Sequence, residues 1–263
     1  MTARAFLVRG LLIGLLAGFS TFAVGYFVAE PQVQAAIDIE ESGAAAEHAH
    51  DEGAAGEEAG HSHDEGGTVV SRHNQRTWGL LTGTLSMGLV FGGLLALAAA
   101  AVVGRMGTLS AAQSTALVAL IGWASLVLVP FLKYPASPPA VGDPDTIGSR
   151  TGWFFLLLGV SLVVAIAACV LAQRVWERAG AYPAVVAGVA AYVAVMVVVG
   201  QVLPTVNELG DFPADTLWYF RRASLIVTSS MWAVLGVLLT GAARRLQAQA
   251  TQIAARRELA ASL

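Results

Sequence analysis

The residues of this chain best suited to chemistry are histidines and carboxylates gathered in one short segment. Residues 47–65 read EHAHDEGAAGEEAGHSHDE, which sets two His-x-His pairs, one at 48 and 50 and one at 61 and 63, among acidic neighbours. Neutral imidazole commonly binds Zn, Ni, Cu and Co, and carboxylates add oxygen donors and negative charge. We therefore interpret the segment as a metal-capture site. Its candidate ligands are Glu47, His48, His50, Asp51, His61, His63 and Asp64.

Residues 38–72, which surround these donors, are predicted to form a disordered loop. The centre of the stretch is Gly, Ala, Glu and His, with nothing to bury. A flexible chain can wrap its donors around a divalent ion, and binding would depend on pH because protonated imidazole cannot coordinate metal. The segment does not select a metal, since copper would bind such donors most tightly whatever the physiological ion. A solvated linker without metal is the alternative interpretation.

A second group of polar residues lies in two segments rich in proline and acid, 130–153 and 203–222. Prolines stiffen the first segment and would hold Asp143 and Asp145 in a fixed relation. Asp145 could instead cap the following helix, with Thr146 as its competitor. The second segment brings acidic residues close to two arginines. These side chains could form the mouth of a cation path, or a structural clasp with nearby basic residues. The candidate mouth residues are Glu30, Lys133, Asp143, Asp145, Asn207, Glu208 and Asp211.

The composition of the chain is that of an integral membrane protein. Of 263 residues, 56% are hydrophobic and 13% are charged, whereas soluble domains carry about 25% charged residues. A helix needs about 20 apolar residues to cross the hydrocarbon core. The sequence therefore predicts an all-α, polytopic membrane bundle that forms a single transmembrane domain, residues 1–263. Its six helices are expected near 6–28, 78–103, 112–132, 153–175, 183–203 and 223–241.

The basic residues predict that both termini lie in the cytoplasm. The first apolar run is too long for the core of a cleaved signal peptide and is interpreted as a retained helix. Nine of the 15 basic residues then fall inside, several of them in a basic tail at 244–263. Of the 18 carboxylates, only Glu177 and Glu258 would face the cytoplasm. An anionic outer face raises the local concentration of cations.

The apolar runs carry no charged or histidine residue at mid-span. Intramembrane ionisable residues usually mark proton relays, so their absence disfavours a proton-driven carrier. Any ion path through these helices would have to use hydroxyl groups, backbone carbonyls and residues at the helix ends. Glycines four residues apart predict close helix packing instead. They are Gly10, Gly14 and Gly18 in the first helix, and Gly79 with Gly83 and Gly88 with Gly92 in the second.

Several long motifs resemble the CbtA family of bacterial cobalt transporter subunits. They are RGLLIGLLAG at 9–18, Glu30-Pro31 followed by AIDIEE, RTWGLLTGT at 76–84, VPFLKYPASPPAVGDPDTIGSRT at 129–151, and LPTVNELGDFPADTLWYFRRASL at 203–225. The resemblance covers nearly the whole chain. It implies a protein of the bacterial inner membrane that takes up cobalt, and this cobalt would feed cobalamin synthesis. It also implies a small, single-helix partner that bears histidines, CbtB.

The expected function is therefore that of a membrane subunit for uptake of a divalent transition metal, cobalt first, with nickel and zinc left open. The alternative is a membrane-anchored metal-binding or sensing protein without transport of its own. An enzyme is not expected, because no Ser-His arrangement and no paired intramembrane carboxylates occur. The expected partners are the metal, the lipid bilayer and the CbtB-like subunit. Neither a resident cofactor nor a nucleic acid is expected.

Overall fold

The computed structural model describes residues 2–51 and 70–262. Within these ranges all regular structure is helical, and six helices are long and apolar enough to cross a membrane. The chain is thus a polytopic membrane bundle, which confirms the fold class predicted from composition. The six helices are α1 (Ala3–Gly43), α2 (Arg72–Val102), α3 (Ala111–Lys133), α4 (Pro144–Ala179), α5 (Ala181–Val202) and α6 (Ala214–Ala261).

Successive helices run in opposite directions, which gathers two long connections at one end of the bundle. The connections are residues 134–143, between α3 and α4, and 203–213, between α5 and α6. We call this end the loop end. The helical segment Glu30–Asp51, which continues α1, starts there as well. Residues 38–51 are therefore helical where the sequence predicts disorder. Of the rest of the predicted loop, residues 52–69 lie outside the described residues and 70–72 lead into α2.

Glycines hold α1 and α2 in the closest packing of the bundle. A Cβ added at Gly14 would lie less than 3.0 Å from the carbonyl oxygen of Gly88, and one at Gly18 would meet the carbonyl oxygen of Thr84 just as closely. Gly10 and Gly92 face each other in the same way. The close packing predicted for these glycines is confirmed, and the structure adds that α1 and α2 are each other's partners. Close packing was also predicted at Gly79 and Gly83, and this prediction is wrong. The two positions are exposed, and a Cβ at Gly83 would have no neighbour within 4 Å.

The buried core lies where α6 packs along α1 and α3. Leu235 and Leu239 of α6 are almost fully buried, and Trp232 packs its ring beside Phe91 of α2. Helices α4 and α5 form a separate pair, which contacts the rest of the bundle mainly through residues 124–133 of α3. The half of α3 nearest the loop end therefore joins the two parts.

Three of the helices contain a π-helical turn near the loop end. The turns are Gly25–Ala29 in α1, Gln75–Gly79 in α2 and Ala124–Leu128 in α3. Such turns disturb the regular backbone hydrogen bonds and free carbonyl groups for other partners. The carbonyl of Ser125 accepts a 2.6 Å hydrogen bond from the hydroxyl of Ser161 in α4. The π-turn of α3 thus supplies the polar contact that attaches α4.

Helix α6 is much longer than a membrane is thick. It has 48 residues, or about 70 Å at about 1.5 Å per residue, against a hydrocarbon core of about 30 Å. Its last turns therefore extend into water, at the end of the bundle opposite the loop end. Gln247 fastens this extension to the bundle, because its side-chain oxygen accepts a 2.9 Å hydrogen bond from the backbone of Ala111 at the start of α3.

Candidate functional site

The two loop-end connections are fastened to each other side by side. The hydroxyl of Tyr134 donates a 2.7 Å hydrogen bond to the carbonyl oxygen of Pro204. The ammonium group of Lys133 lies 3.4 Å from the hydroxyl of Thr205. Prolines restrict the backbone of the 134–143 connection, so these contacts hold two stiff segments over the bundle. The candidate mouth residues are therefore positioned by fixed backbone rather than by free loops.

Glu208 is the centre of these contacts. One of its carboxylate oxygens accepts hydrogen bonds from the backbone of Asp143, at 3.0 Å, and from the hydroxyl of Thr146, at 2.8 Å. The same oxygen lies 3.4 Å from Nε of Arg150. The Asp143 N–H is the main cause that lowers the pKa of the Glu208 carboxyl, and the Thr146 hydroxyl and Arg150 add to it against partial desolvation. Glu208 thus joins the second connection to the first turns of α4.

Arg150 is held on its other side by the first connection. Its Nη2 donates a 3.0 Å hydrogen bond to the carbonyl oxygen of Asp143. The guanidinium also occupies the space beside Gly142, where any Cβ would collide with it. Gly142 has a φ of +105°, a backbone conformation that L side chains rarely adopt. The sequence therefore needs glycine here for two reasons, the backbone angle and the room for Arg150.

Asp143, and not Asp145, caps the start of the α4 region. Its side chain accepts a 2.9 Å hydrogen bond from the backbone of Asp145, at the head of the short 3₁₀ turn Pro144–Thr146. Thr146 precedes the α-helical part of α4 and makes no capping hydrogen bond with its side chain. Of the two predicted caps, Asp145 makes no capping bond, and Thr146 holds the N-cap position of the α-helical part without a capping bond from its side chain. Pro144 fits the first position of a helical turn, which leaves the cap of that turn to Asp143.

The remaining predicted mouth residues divide into exposed groups and paired ones. Asp145, Asn207 and Asp211 are exposed to solvent, as is the Asp143 cap. Glu30, at the same end of the bundle, forms an ion pair with Arg72 at 2.5 Å. These positions do not converge on one point. Among the residues that the structure describes, no group of three or more His, Cys, Asp or Glu could hold a metal ion.

A cavity of about 820 Å³ lies beneath the two connections. Lys133, Arg150 and Arg221 line it, and Glu208 is the one carboxylate among its described lining residues. The deeper walls are apolar and come from α3 and α4, with the hydroxyls of Ser224 and Thr228 from α6. The mouth is therefore more basic than the sequence predicts. Of the two alternatives left open by the sequence, the contacts of Glu208 and Arg150 are those of a structural clasp.

The candidate ligands of the histidine segment are only partly within reach of the structure. His61, His63 and Asp64 lie outside the described residues. Glu47, His48, His50 and Asp51 fall at the end of the helical segment Glu30–Asp51, where only the backbone is described. Their role as metal ligands stays a prediction.

Two polar contacts inside the bundle were not predicted from the sequence. The hydroxyl of Ser161, which donates to the Ser125 carbonyl, also lies 2.8 Å from the phenol oxygen of Tyr192 in α5. Arg76 stacks over the ring of Tyr26 and donates a 2.9 Å hydrogen bond to its hydroxyl. The available signal was Tyr192, which stands in the middle of the apolar sequence of α5. Buried tyrosines usually find a hydrogen-bond partner.

The chain matches a known protein family. The family described as probable cobalt transporter subunit (CbtA) matches residues 3–244, nearly the whole chain. No curated protein and no solved structure matches it.

Proposed function

The chain belongs to the CbtA family of probable cobalt transporter subunits, and on that premise we propose that it serves the uptake of a divalent transition metal, cobalt first. The observation that carries the proposal is the family match over residues 3–244, which includes all six membrane-capable helices up to residue 244 of α6. Nickel and zinc have similar ligand chemistry and are the alternatives to cobalt.

We further propose that the segment 47–65 captures the metal outside the cell. Four histidines and their acidic neighbours in this segment are the densest set of metal donors in the sequence. The described part of the bundle holds no comparable group. Capture would then concentrate the cation at the loop end, next to the two fastened connections. Selectivity among metals would come from later steps, because such donors prefer copper on affinity alone.

The proposed orientation places the loop end outside and both termini in the cytoplasm of a bacterial inner membrane. An even number of spans leaves both termini on one side. Arg105, Arg174 and Arg178 share that side with the basic end of α6. Basic residues are retained in the cytoplasm, which supports this orientation. A doubly charged ion moving inward would gain about 4.6 kcal/mol per 100 mV of membrane potential. The membrane potential alone is therefore sufficient to drive the uptake of a divalent cation.

A family of transporter subunits works with other subunits, and we propose a small, single-helix protein that bears histidines, like CbtB, as one of them. The alternative function is a membrane-anchored metal-binding or sensing protein that moves no ion. It is favoured by the same distribution of donors, since the described bundle offers no assembled metal site along its length. The two functions differ in one measurable respect, which is flux.

The deciding experiment is uptake of radioactive cobalt and nickel into cells that carry the chain, with and without the small subunit. We expect cobalt accumulation that depends on the chain. Purified chain in proteoliposomes then separates transport from binding, because an accessory protein would bind cobalt without filling the vesicles. Absence of chain-dependent flux in both settings would contradict the proposed uptake and favour the accessory role.

Metal capture by the histidine segment is tested separately, with a variant of its four histidines. Replacing His48, His50, His61 and His63 by Gln removes the imidazoles but keeps the length and acidity of the segment. We expect weaker uptake at scarce cobalt and normal uptake at saturating cobalt. His73→Gln is the matched control, since His73 lies in the first turn of α2 and outside the proposed ligand set. Unchanged uptake by the four-histidine variant at the lowest concentrations would rule out capture by these imidazoles.

A further inference from the structure

The cavity beneath the loop-end connections carries positive charge that its described residues do not balance. Lys133, Arg150 and Arg221 line it, with Glu208 as their one described acidic neighbour. Glu208 is already paired with Arg150. Within residues 2–51 and 70–262, neither Lys133 nor Arg221 has a carboxylate within 4.0 Å. A bare divalent cation would be repelled here, so this cavity suits a ligand of the opposite charge.

Arg221 is the cation best placed to hold such a ligand. It is half-buried in the second turn of α6, and its Nε donates a 3.3 Å hydrogen bond to the carbonyl oxygen of Ala136. This is its one hydrogen bond among the described residues, so both terminal nitrogens of the guanidinium keep their donors. Lys133 is steadied over the ring of Tyr134 at 5.7 Å. Both cations are thus fixed in place without being neutralised.

The lining of the cavity includes large apolar side chains that are exposed at the surface of the bundle. Leu132, at the end of α3, is 73% exposed, and Ile147, near the start of α4, is 55% exposed. Both line the cavity. Leu132 is the second-last residue of α3 and Ile147 lies in the first turn of α4, and the ends of spanning helices are where headgroup contact is expected. The cavity therefore combines cationic donors with exposed apolar side chains.

We propose that this cavity binds the headgroup phosphate of an anionic phospholipid. Arg221 and Lys133 bind the phosphate, and Leu132 and Ile147 contact the acyl chains. Guanidinium groups bind phosphate oxygens through paired hydrogen bonds, and basic pockets between membrane helices are known to accept anionic headgroups. A free phosphate ion would satisfy the same donors but would leave the exposed apolar side chains without a partner. The site is distinct from metal transport and does not rest on it.

The test measures the thermal stability and lipid binding of the purified chain in a neutral detergent. We expect phosphatidylglycerol to raise the unfolding temperature, whereas phosphatidylcholine and inorganic phosphate leave it unchanged. Arg221→Gln and Lys133→Gln should each weaken phosphatidylglycerol binding about tenfold, the usual loss for one charged hydrogen bond. Arg222→Gln is the matched control. Arg222 is exposed, stacks on Tyr219 at 4.9 Å and is not among the lining residues.

Several results would overturn the proposal. A phosphatidylglycerol effect of equal size in wild type, Arg221→Gln and Lys133→Gln would place the lipid elsewhere. An equal effect of inorganic phosphate would show a plain anion site rather than a lipid site. If Arg221→Gln does not fold, Lys133→Gln at the end of α3 and the charge-preserving Arg221→Lys still decide the outcome. Cobalt uptake is measured separately, so the two proposals can fail independently.

Discussion

Glu208 and Arg150 form an ion pair, with 3.4 Å between Oε2 and Nε, that ties the connection before α6 to the start of α4. The two residues are 58 positions apart, and each also binds the backbone of Asp143. Three separate segments therefore meet at this pair. Because α4 and α5 otherwise join the bundle mainly through α3, the ion pair is one of the few polar contacts that fix the α4–α5 pair at the loop end.

The pKa of Glu208 predicts how this contact responds to acid. Its pKa is lowered in the folded protein from an ordinary value of 4.5, first by the Asp143 N–H. A carboxyl with a lowered pKa stabilises the fold fully above about pH 4.5, and the contribution is lost as the pH falls through the folded value. We therefore expect the two connections to loosen only in acid.

Glu208→Gln tests this directly. The amide keeps one oxygen that can accept from Thr146, but it cannot pair with Arg150 or change its charge with pH. We expect the variant to unfold at a lower temperature at neutral pH and to lose part of the wild-type decline below pH 4.5. The measurement is a thermal melt of both proteins across a pH series. Parallel curves for the two proteins would show that another carboxylate is responsible.

The sequence was sufficient to predict the membrane helices and the glycines that pack closely. Apolar runs of membrane length and glycines four residues apart depend on neighbouring residues in the sequence, so the spans and the close packing at Gly14 and Gly88 could be predicted. That these two glycines meet each other is a tertiary contact that the spacing does not reveal. The partners of the loop-end side chains could not be predicted either. Glu208 had several basic neighbours in the sequence, and its choice of Arg150 depends on a backbone angle at Gly142 that no spacing reveals.

The excess of positive charge in the cavity was also beyond sequence reasoning. Asp143 and Asp145 were expected to make this mouth acidic, yet both are exposed and neither lines the cavity. Arg221 was expected only as a member of a clasp, because its position relative to α3 depends on how α6 packs. Side-chain direction at a helix end is a tertiary property. The sequence supplied the correct group of residues but not which of them face inward.

Packing between α1 and α2 predicts a strong effect of a small change. Gly14→Val would place a Cβ against the carbonyl oxygen of Gly88, and backbone cannot move aside cheaply. We expect a loss of about 1–3 kcal/mol of stability, typical of overpacking. Gly83→Ala on α2 is the control, since a Cβ there meets nothing within 4 Å. Thermal melts in detergent compare the two. Equal losses in both variants would contradict tight packing at Gly14.

The buried hydroxyl of Ser161 predicts a measurable contribution from a polar contact inside the membrane. Ser161→Ala removes the bond to the Ser125 carbonyl in the π-turn and leaves Tyr192 without this partner. Single hydrogen bonds between membrane helices contribute about 0.6 kcal/mol on average and up to about 1.7 kcal/mol. We expect a loss in this range. Ser230→Ala is the control, because the one described partner of its hydroxyl is the Val227 carbonyl of its own helix. A Ser161→Ala variant as stable as the control would exclude this attachment.

Asp143 offers a way to separate a structural carboxylate from a metal ligand. Its side chain caps the turn Pro144–Thr146 and needs only an acceptor oxygen for that task, so Asn should replace it well and Ala should not. We expect Asp143→Asn to keep both stability and cobalt uptake, and Asp143→Ala to lose about 1 kcal/mol of stability. Asp145→Asn reports on a neighbouring exposed carboxylate that makes no cap. Melting temperature and cobalt uptake are measured for all three variants. Loss of uptake in Asp143→Asn with an unchanged melting temperature would mean that the charge itself contacts the metal, and the mouth would then be a binding site rather than a clasp.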